Sequence, residues 1–266
     1  MLIDAHAHLD RYDDALDAAL GEIAERRILT ISTAMDLPSY RRNLEIGERC
    51  EFALPTFGVH PWNAPEYVKC LEELREAIER SPMLGEIGLD HRFVDDASQY
   101  PAQRLVFEFF LAAAKEQDKI VNLHTSGAER ETLSLLARYG IHRAIIHWYS
   151  GSLDILREMI SHGLYFTIGV EVLHSEHIRA IAREVPSAQL LTETDNPVGE
   201  KWLTATPGMP RLIGDVVQAL AELRGTTAGA IAQTVQVNFA RLIRNDPWLS
   251  GTYARFFAGQ SDHTLP

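Results

Sequence analysis

The sequence predicts a TIM-type (β/α)8 barrel: a single α/β domain with extra helices at its C-terminal end. Two observations carry that expectation. Eight short runs, apolar and rich in β-branched residues, recur between residues 2 and 195, and segments of helical period lie between them. Strands that alternate with helices pair in parallel, and eight such units close on themselves. At 266 residues the chain has the length at which these barrels stand as one unit.

In chain order the strands are expected at LIDAHAHL (2–9), LTISTA (29–34), FALPTFGVH (52–60) and MLGEIGLD (83–90). IVNLHTS (120–126), RAIIHWYS (143–150), LYFTIGV (164–170) and QLLTETD (189–195) complete the set. The clearest helix is PAQRLVFEFFLAAAKEQDK, where Leu105, Phe109 and Ala113 recur at i, i+4 and i+8 beside Val106 and Phe110. Pro101 suits its first turn and Ser98 its cap region. Two helical segments, roughly 208–224 and 227–244, follow the eighth strand and are expected on the outside of the barrel. The barrel unit is read as 1–246 and a less regular tail as 247–266. In that tail Trp248, Tyr253, Phe256 and Phe257 are apolar enough to fold back on the barrel or to anchor a protein partner.

Composition bounds the function. With 46% hydrophobic and 23% charged residues the balance is that of a soluble globular chain. No apolar run approaches the roughly 20 residues of a membrane span. The first ten residues lack a basic region followed by an apolar stretch, so no secretory signal is read and a cytoplasmic location is expected. Cys50 and Cys70 are the only cysteines, each in a helix-like segment and each expected to serve packing. The formal charge of −12 argues against a broad basic surface for nucleic acid. It does not exclude a nuclease, because bound metal ions supply positive charge locally.

The unusual residues sit at strand ends. Alternation along the first strand puts Asp4, His6 and His8 on one face. Burying a carboxylate and two imidazoles together is costly unless something compensates them, and a cation would. His60 ends strand three, Glu86 lies in the second half of strand four, and His124 ends strand five. His147 lies late in strand six and Asp195 ends strand eight. All would converge on the C-terminal mouth, where active sites of this fold lie. His6, His8, His124, His147, Glu86 and Asp195 are too many ligands for one tetrahedral ion with an open position. They suit two divalent cations with a carboxylate between them. Zn, Mn and Mg are all compatible, and the histidine content leans towards the transition metals.

IDAHAHLD, GVHPW, GEIGLD, HWYSG and TETDNP, in that order and spacing, resemble the TatD-related metal-dependent deoxyribonucleases of the amidohydrolase superfamily. VNFARLI near the end resembles them too. The resemblance implies a barrel that hydrolyses phosphodiester bonds, typically as a 3′-to-5′ exonuclease on DNA. It implies that His6, His8, Glu86 and Asp195 hold one metal, and that Glu86, His124 and His147 hold a second. Glu86 would then bridge the two, and Asp195 would orient the attacking water or take its proton. His60 and Glu193 would be substrate- or water-facing neighbours.

Two stretches depart from the family's usual pattern. From His124 the chain runs HTSGAE, with no arginine before Arg130, and the basic stretch after strand eight is replaced by ATPGMP. Arg and Lys at such places position phosphates. Ser126, Trp148 and Tyr149 remain near the rim, where an aromatic ring either stacks an unpaired base or packs. Two further readings therefore stand beside the nuclease. One is hydrolysis of an acyl ester or amide, such as an aminoacyl end of transfer RNA. The other is a barrel subunit of a larger assembly, with weak or partner-triggered nuclease activity.

Overall fold

In a computed structural model, which describes residues 1–259, all eight expected strands are present. They are β1 (Leu2–Ala7), β2 (Ile28–Thr33), β3 (Ala53–Thr56), β4 (Leu84–Gly88), β5 (Val121–His124), β6 (Ala144–Ile146), β7 (Tyr165–Ile168) and β8 (Leu190–Thr192). Every ladder is parallel, in two arcs ordered β1-β2-β3 and β4-β5-β6-β7-β8. Bonds outside the regular ladders close the ring at both seams. Phe57 bridges Leu84, and Gly85 N donates to Phe57 O at 2.8 Å. Across the other seam Asp195 N donates to His6 O and His8 N to Asn196 O, both at 2.9 Å.

The strands are shorter than the apolar runs because the C-terminal end of each run leaves the ladder to enter the mouth. β3 stops at Thr56, four residues before His60, and β8 stops at Thr192, before Glu193 and Asp195. Gly58 is needed in the first of these departures: a Cβ there would strike the Glu86 main chain.

The long helix spans Tyr100–Gln117 with Pro101 in its first turn, and of the periodic residues expected in it Val106, Phe110 and Ala113 are buried. Val106, Phe107, Phe110, Leu111 and Ala114 face the sheet, whereas Leu105 is half exposed and Phe109 only partly buried. Ser98 does not cap this helix; it lies in a short 3-10 turn whose cap is Asp96. The two helices expected after β8 are Leu212–Arg224 and Ala228–Ile243, the second capped by Thr227, whose hydroxyl accepts from Ala230 N at 3.2 Å. Cys50 and Cys70 flank helical segments rather than lying inside them; Cys50 is buried and Cys70 half-buried.

The segment expected to be irregular carries the helix Ser250–Phe257. Most of its apolar side chains pack on the chain's own body, the first of the two alternatives, although Trp248 stays 40% exposed. Leu249 and Phe257 are buried, Phe256 packs 5.4 Å from the Phe52 ring, and Trp248 Nε1 donates to Gln117 O at 2.8 Å. The remaining expected tail, 260–266, lies outside the described residues. No helix among the described residues is long and apolar enough to cross a membrane.

Candidate metal centre

The mouth gathers His6, His8, His60, Glu86, His124, His147 and Asp195. Glu86 is the hub. Its Oε2 lies 3.5 Å from His6 Nε2 and 3.4 Å from His8 Nε2. Its Oε1 lies 2.9 Å from His147 Nε2, 3.0 Å from His124 Nδ1 and 3.4 Å from His60 Nε2. Asp195 Oδ1 completes the first side, 3.2 Å from His8 Nε2 and 3.6 Å from His6 Nε2. Three overlapping groups have the compactness of a metal site: His6–Glu86–His147, His6–His8–Asp195 and His60–Glu86–His124.

The outer nitrogen of each imidazole decides what its inner nitrogen offers, because a neutral ring has one N–H and one lone pair. His8 Nδ1 donates to the Thr33 carbonyl at 3.1 Å. His6 Nδ1 donates to Asn122 Oδ1 at 3.1 Å, and the Asn122 amide is oriented for this by its own bond to Ala5 O. His124 Nε2 donates to Asp90 Oδ2 at 3.0 Å, and His147 Nδ1 donates to Glu193 Oε2 at 3.3 Å. When neutral, each of these four rings thus turns its lone-pair nitrogen towards Glu86. Acceptors that back a histidine in this way are the usual outer support of a metal ligand. His60 is the exception. Its Nδ1 accepts from Trp62 N at 3.2 Å, so its Nε2 carries the proton and points an N–H into the cavity.

Lone pairs facing carboxylate oxygens call for positive charge between them. Burial disfavours an imidazolium at His8, yet Asp195 and Glu86 outweigh it and push the pKa up to about 10. At His147 burial is likewise overcome, by Glu86 and Glu193. Burial would raise Glu86, but His60, His147 and His6 hold it well below the usual carboxylate range. His60 goes the other way: burial lowers it to about 4. His147 Nε2 and Asp195 Oδ1 are buried atoms without a hydrogen-bond partner. A donor set of this composition fits divalent cations.

Asp4 stays outside the cluster. Thr194 N and Thr194 Oγ1 donate to its carboxylate at 2.8 and 2.7 Å, so a threonine, not a cation, compensates it. Glu193 is fully buried and stands behind His147, where it also accepts from Trp148 N at 2.9 Å; it is not among the residues lining the cavity. Tyr149 packs, donating to Ser152 O, whereas Trp148 and Ser126 do line the cavity. His177 Nε2 contacts the Ser150 and Gly151 carbonyls and His162 the Glu158 carbonyl, and neither ring lines the cavity.

Sequence reasoning missed Asn122, Asp90 and Glu171. Alternation would have found the first two, since Asn122 shares a strand face with His124, and Asp90 shares one with Glu86. Glu171 lines the cavity beyond β7, where burial and then Glu193 push its pKa up to about 8. No strand pattern marks it.

A parallel barrel whose mouth sets imidazole lone pairs around a shared carboxylate has the build of a metal-dependent hydrolase. The chain belongs to the TatD related DNase family, whose model matches residues 3–244. It is 30% identical over 260 residues to the uncharacterized metal-dependent hydrolase YabD of Bacillus subtilis, covering 92% of this chain and 99% of that one. It is 26% identical over 260 residues to human deoxyribonuclease TATDN3, covering 91% and 94%. Among solved structures, the TatD homologue YjjV of Escherichia coli K12 superposes with a TM-score of 0.81 at 28% identity, covering 91% of this chain and 97% of that one.

Proposed function

We propose that the rim holds two divalent cations and that the protein removes nucleotides from the 3′ end of single-stranded DNA. The observation that carries this reading is the division of Glu86. One carboxylate oxygen faces His6 and His8 beside Asp195, and the other faces His124 and His147. Each side offers nitrogen lone pairs and a carboxylate oxygen, which is a divalent cation's donor set. The deoxyribonuclease among the relatives supports a nucleic-acid substrate.

Bound there, such cations supply the Lewis acidity that activates a water and neutralises phosphoryl oxygens. The chain's own residues do the rest. Asp195 has the most open of the cluster's carboxylates, and it takes the proton of the attacking water. His60 Nε2–H donates a hydrogen bond to a phosphoryl oxygen as charge grows there. Arg11, the only Lys or Arg lining the cavity among the described residues, pairs with a neighbouring phosphate. Glu193 and Asp90 are positioning residues that fix the rings of His147 and His124.

The scarcity of cations at the mouth favours one second reading, hydrolysis of an acyl end of transfer RNA at the same site. A metal-stripped preparation, resupplied with Mg, Mn or Zn, separates the two. The phosphodiesterase reading expects metal-restored release of mononucleotides from a 3′-labelled single strand. Deacylation of an aminoacyl end without any strand cleavage would overturn it.

A further inference from the structure

Apolar side chains are unevenly spread over the surface. Among the described residues six large ones are exposed, and four of them, Trp62, Phe93, Trp202 and Leu203, line the cavity of the metal centre. Trp202 is 65% and Phe93 55% exposed, and their rings approach no closer than 6.2 Å between centroids, tilted by 39°. Both rings therefore keep open π faces at the edge of the site.

This wall is built onto the catalytic rim. Asp90, the carboxylate that accepts from His124 Nε2, also accepts from Trp62 Nε1 at 2.7 Å, Arg92 N at 2.9 Å and Phe93 N at 2.8 Å. One buried side chain thus sets a candidate metal ligand, one indole and the turn that presents Phe93. Trp202 projects from the helix Val198–Thr204. Gly199 lets that helix settle on the rim, since a Cβ there would strike Thr194 O, the Trp148 ring and Asp195.

A groove that follows a long backbone grips it with a row of cations. Here Arg11 is the one Lys or Arg lining the cavity among the described residues, and aromatic area takes the place of charge. We infer that Phe93 and Trp202, flanked by Trp62, form a stacking subsite for one unpaired nucleobase at the strand end, next to the scissile bond. The inference rests on the phosphodiesterase reading and narrows it: the substrate is recognised by its terminal base rather than by a run of phosphates. Stacking is indifferent to base identity, so the subsite selects frayed or single-stranded ends without reading sequence.

The test compares an oligonucleotide bearing an ordinary 3′-terminal base with one ending in an abasic residue. The parent is expected to prefer the base-bearing end by about 5- to 150-fold in kcat/KM, the span of one stacked base. In Trp202→Ala and in Phe93→Ala that ratio falls towards unity, while Trp202→Phe retains most of it. A parent with no preference, or variants that lose activity on both ends in proportion and keep the ratio, would overturn the subsite. Binding in EDTA, read by quenching of tryptophan fluorescence, distinguishes this failure from that of the phosphodiesterase reading. A protein that cleaves no strand yet binds the base-bearing oligonucleotide more tightly than the abasic one keeps the subsite and loses the reaction. One that binds the two alike loses the subsite.

Discussion

The two ends of this barrel both bury charge, and they treat it in opposite ways. At the N-terminal end two buried ionic groups, Lys119 and Asp246, find partners within the chain. The Lys119 ammonium donates to the Ile78 and Glu79 carbonyls and lies 3.7 Å from the Trp248 ring centroid. Asp246 accepts from Arg143 at 2.6 Å and from the Trp248 and Leu249 main-chain N–H groups at 2.8 and 3.0 Å. Trp248 and Leu249 thereby close the bottom with their main-chain N–H groups and the Trp248 indole N–H satisfied. At the mouth, bare nitrogens and carboxylate oxygens face one another, and the pairing is incomplete until positive charge enters. The same strands thus support a stability end and a chemistry end, and the difference is whether the protein supplies both members of each pair.

Removing the hub of the mouth is the most severe way to break that contrast. Glu86→Gln is expected to cost more than about 10³-fold in kcat, since both sides of the site lose an anionic oxygen. It should also abolish the metal-dependent rise in Tm. In the parent, saturating metal at about 100 times Kd contributes about 2.7 kcal/mol. For a chain of this size that is on the order of 5–10 °C. Differential scanning calorimetry with and without EDTA checks it, and an unchanged metal response in the variant would place the cation elsewhere.

A milder break leaves the ligands and removes their backing. Asn122→Ala and Glu193→Gln are each expected to weaken metal affinity or activity by about 10–100-fold, the usual effect of losing an outer partner. Metal titration of the stripped protein measures it. Affinity unaltered in both variants would show that the tautomers are set by something else.

The bottom sharpens the comparison by giving the opposite signature. Asp246→Ala leaves Arg143 and two main-chain N–H groups without their acceptor. Arg143 is partly open to water, so about 2 kcal/mol of stability is at stake, roughly 4–8 °C in Tm. Turnover at 25 °C should stay within twofold of the parent, to order of magnitude. A large loss of turnover in a variant that remains folded would mean that the two ends are coupled.

Much of this was legible in the residues, for identifiable reasons. The eight strands announce themselves because buried parallel strands are continuous apolar runs. The cluster is legible because two-residue alternation and strand-end position place His6, His8, Glu86 and His124 on one rim. Strand ends were over-extended at FALPTFGVH and QLLTETD, since their last residues keep strand-like composition while bonding to the mouth instead of the ladder. The seam of the Tyr100–Gln117 helix was legible only in part because Leu105 is apolar yet faces outward, which burial of its neighbours does not forbid. Phe93 and Trp202 could not be read at all: their places depend on the Asp90 turn and on the seat of Gly199, contacts between segments distant in the chain.

The direct test of the central claim is to count metal per chain in the stripped and reloaded protein. The outer bonds sort the rings into four that present a lone pair and one, His60, that presents a proton. Two divalent ions are therefore expected in the parent. His147→Ala should lose one of them, whereas His60→Ala should retain both while turning over more slowly. A His60→Ala protein that loses an ion while His147→Ala keeps its full complement would contradict the sorting of these rings.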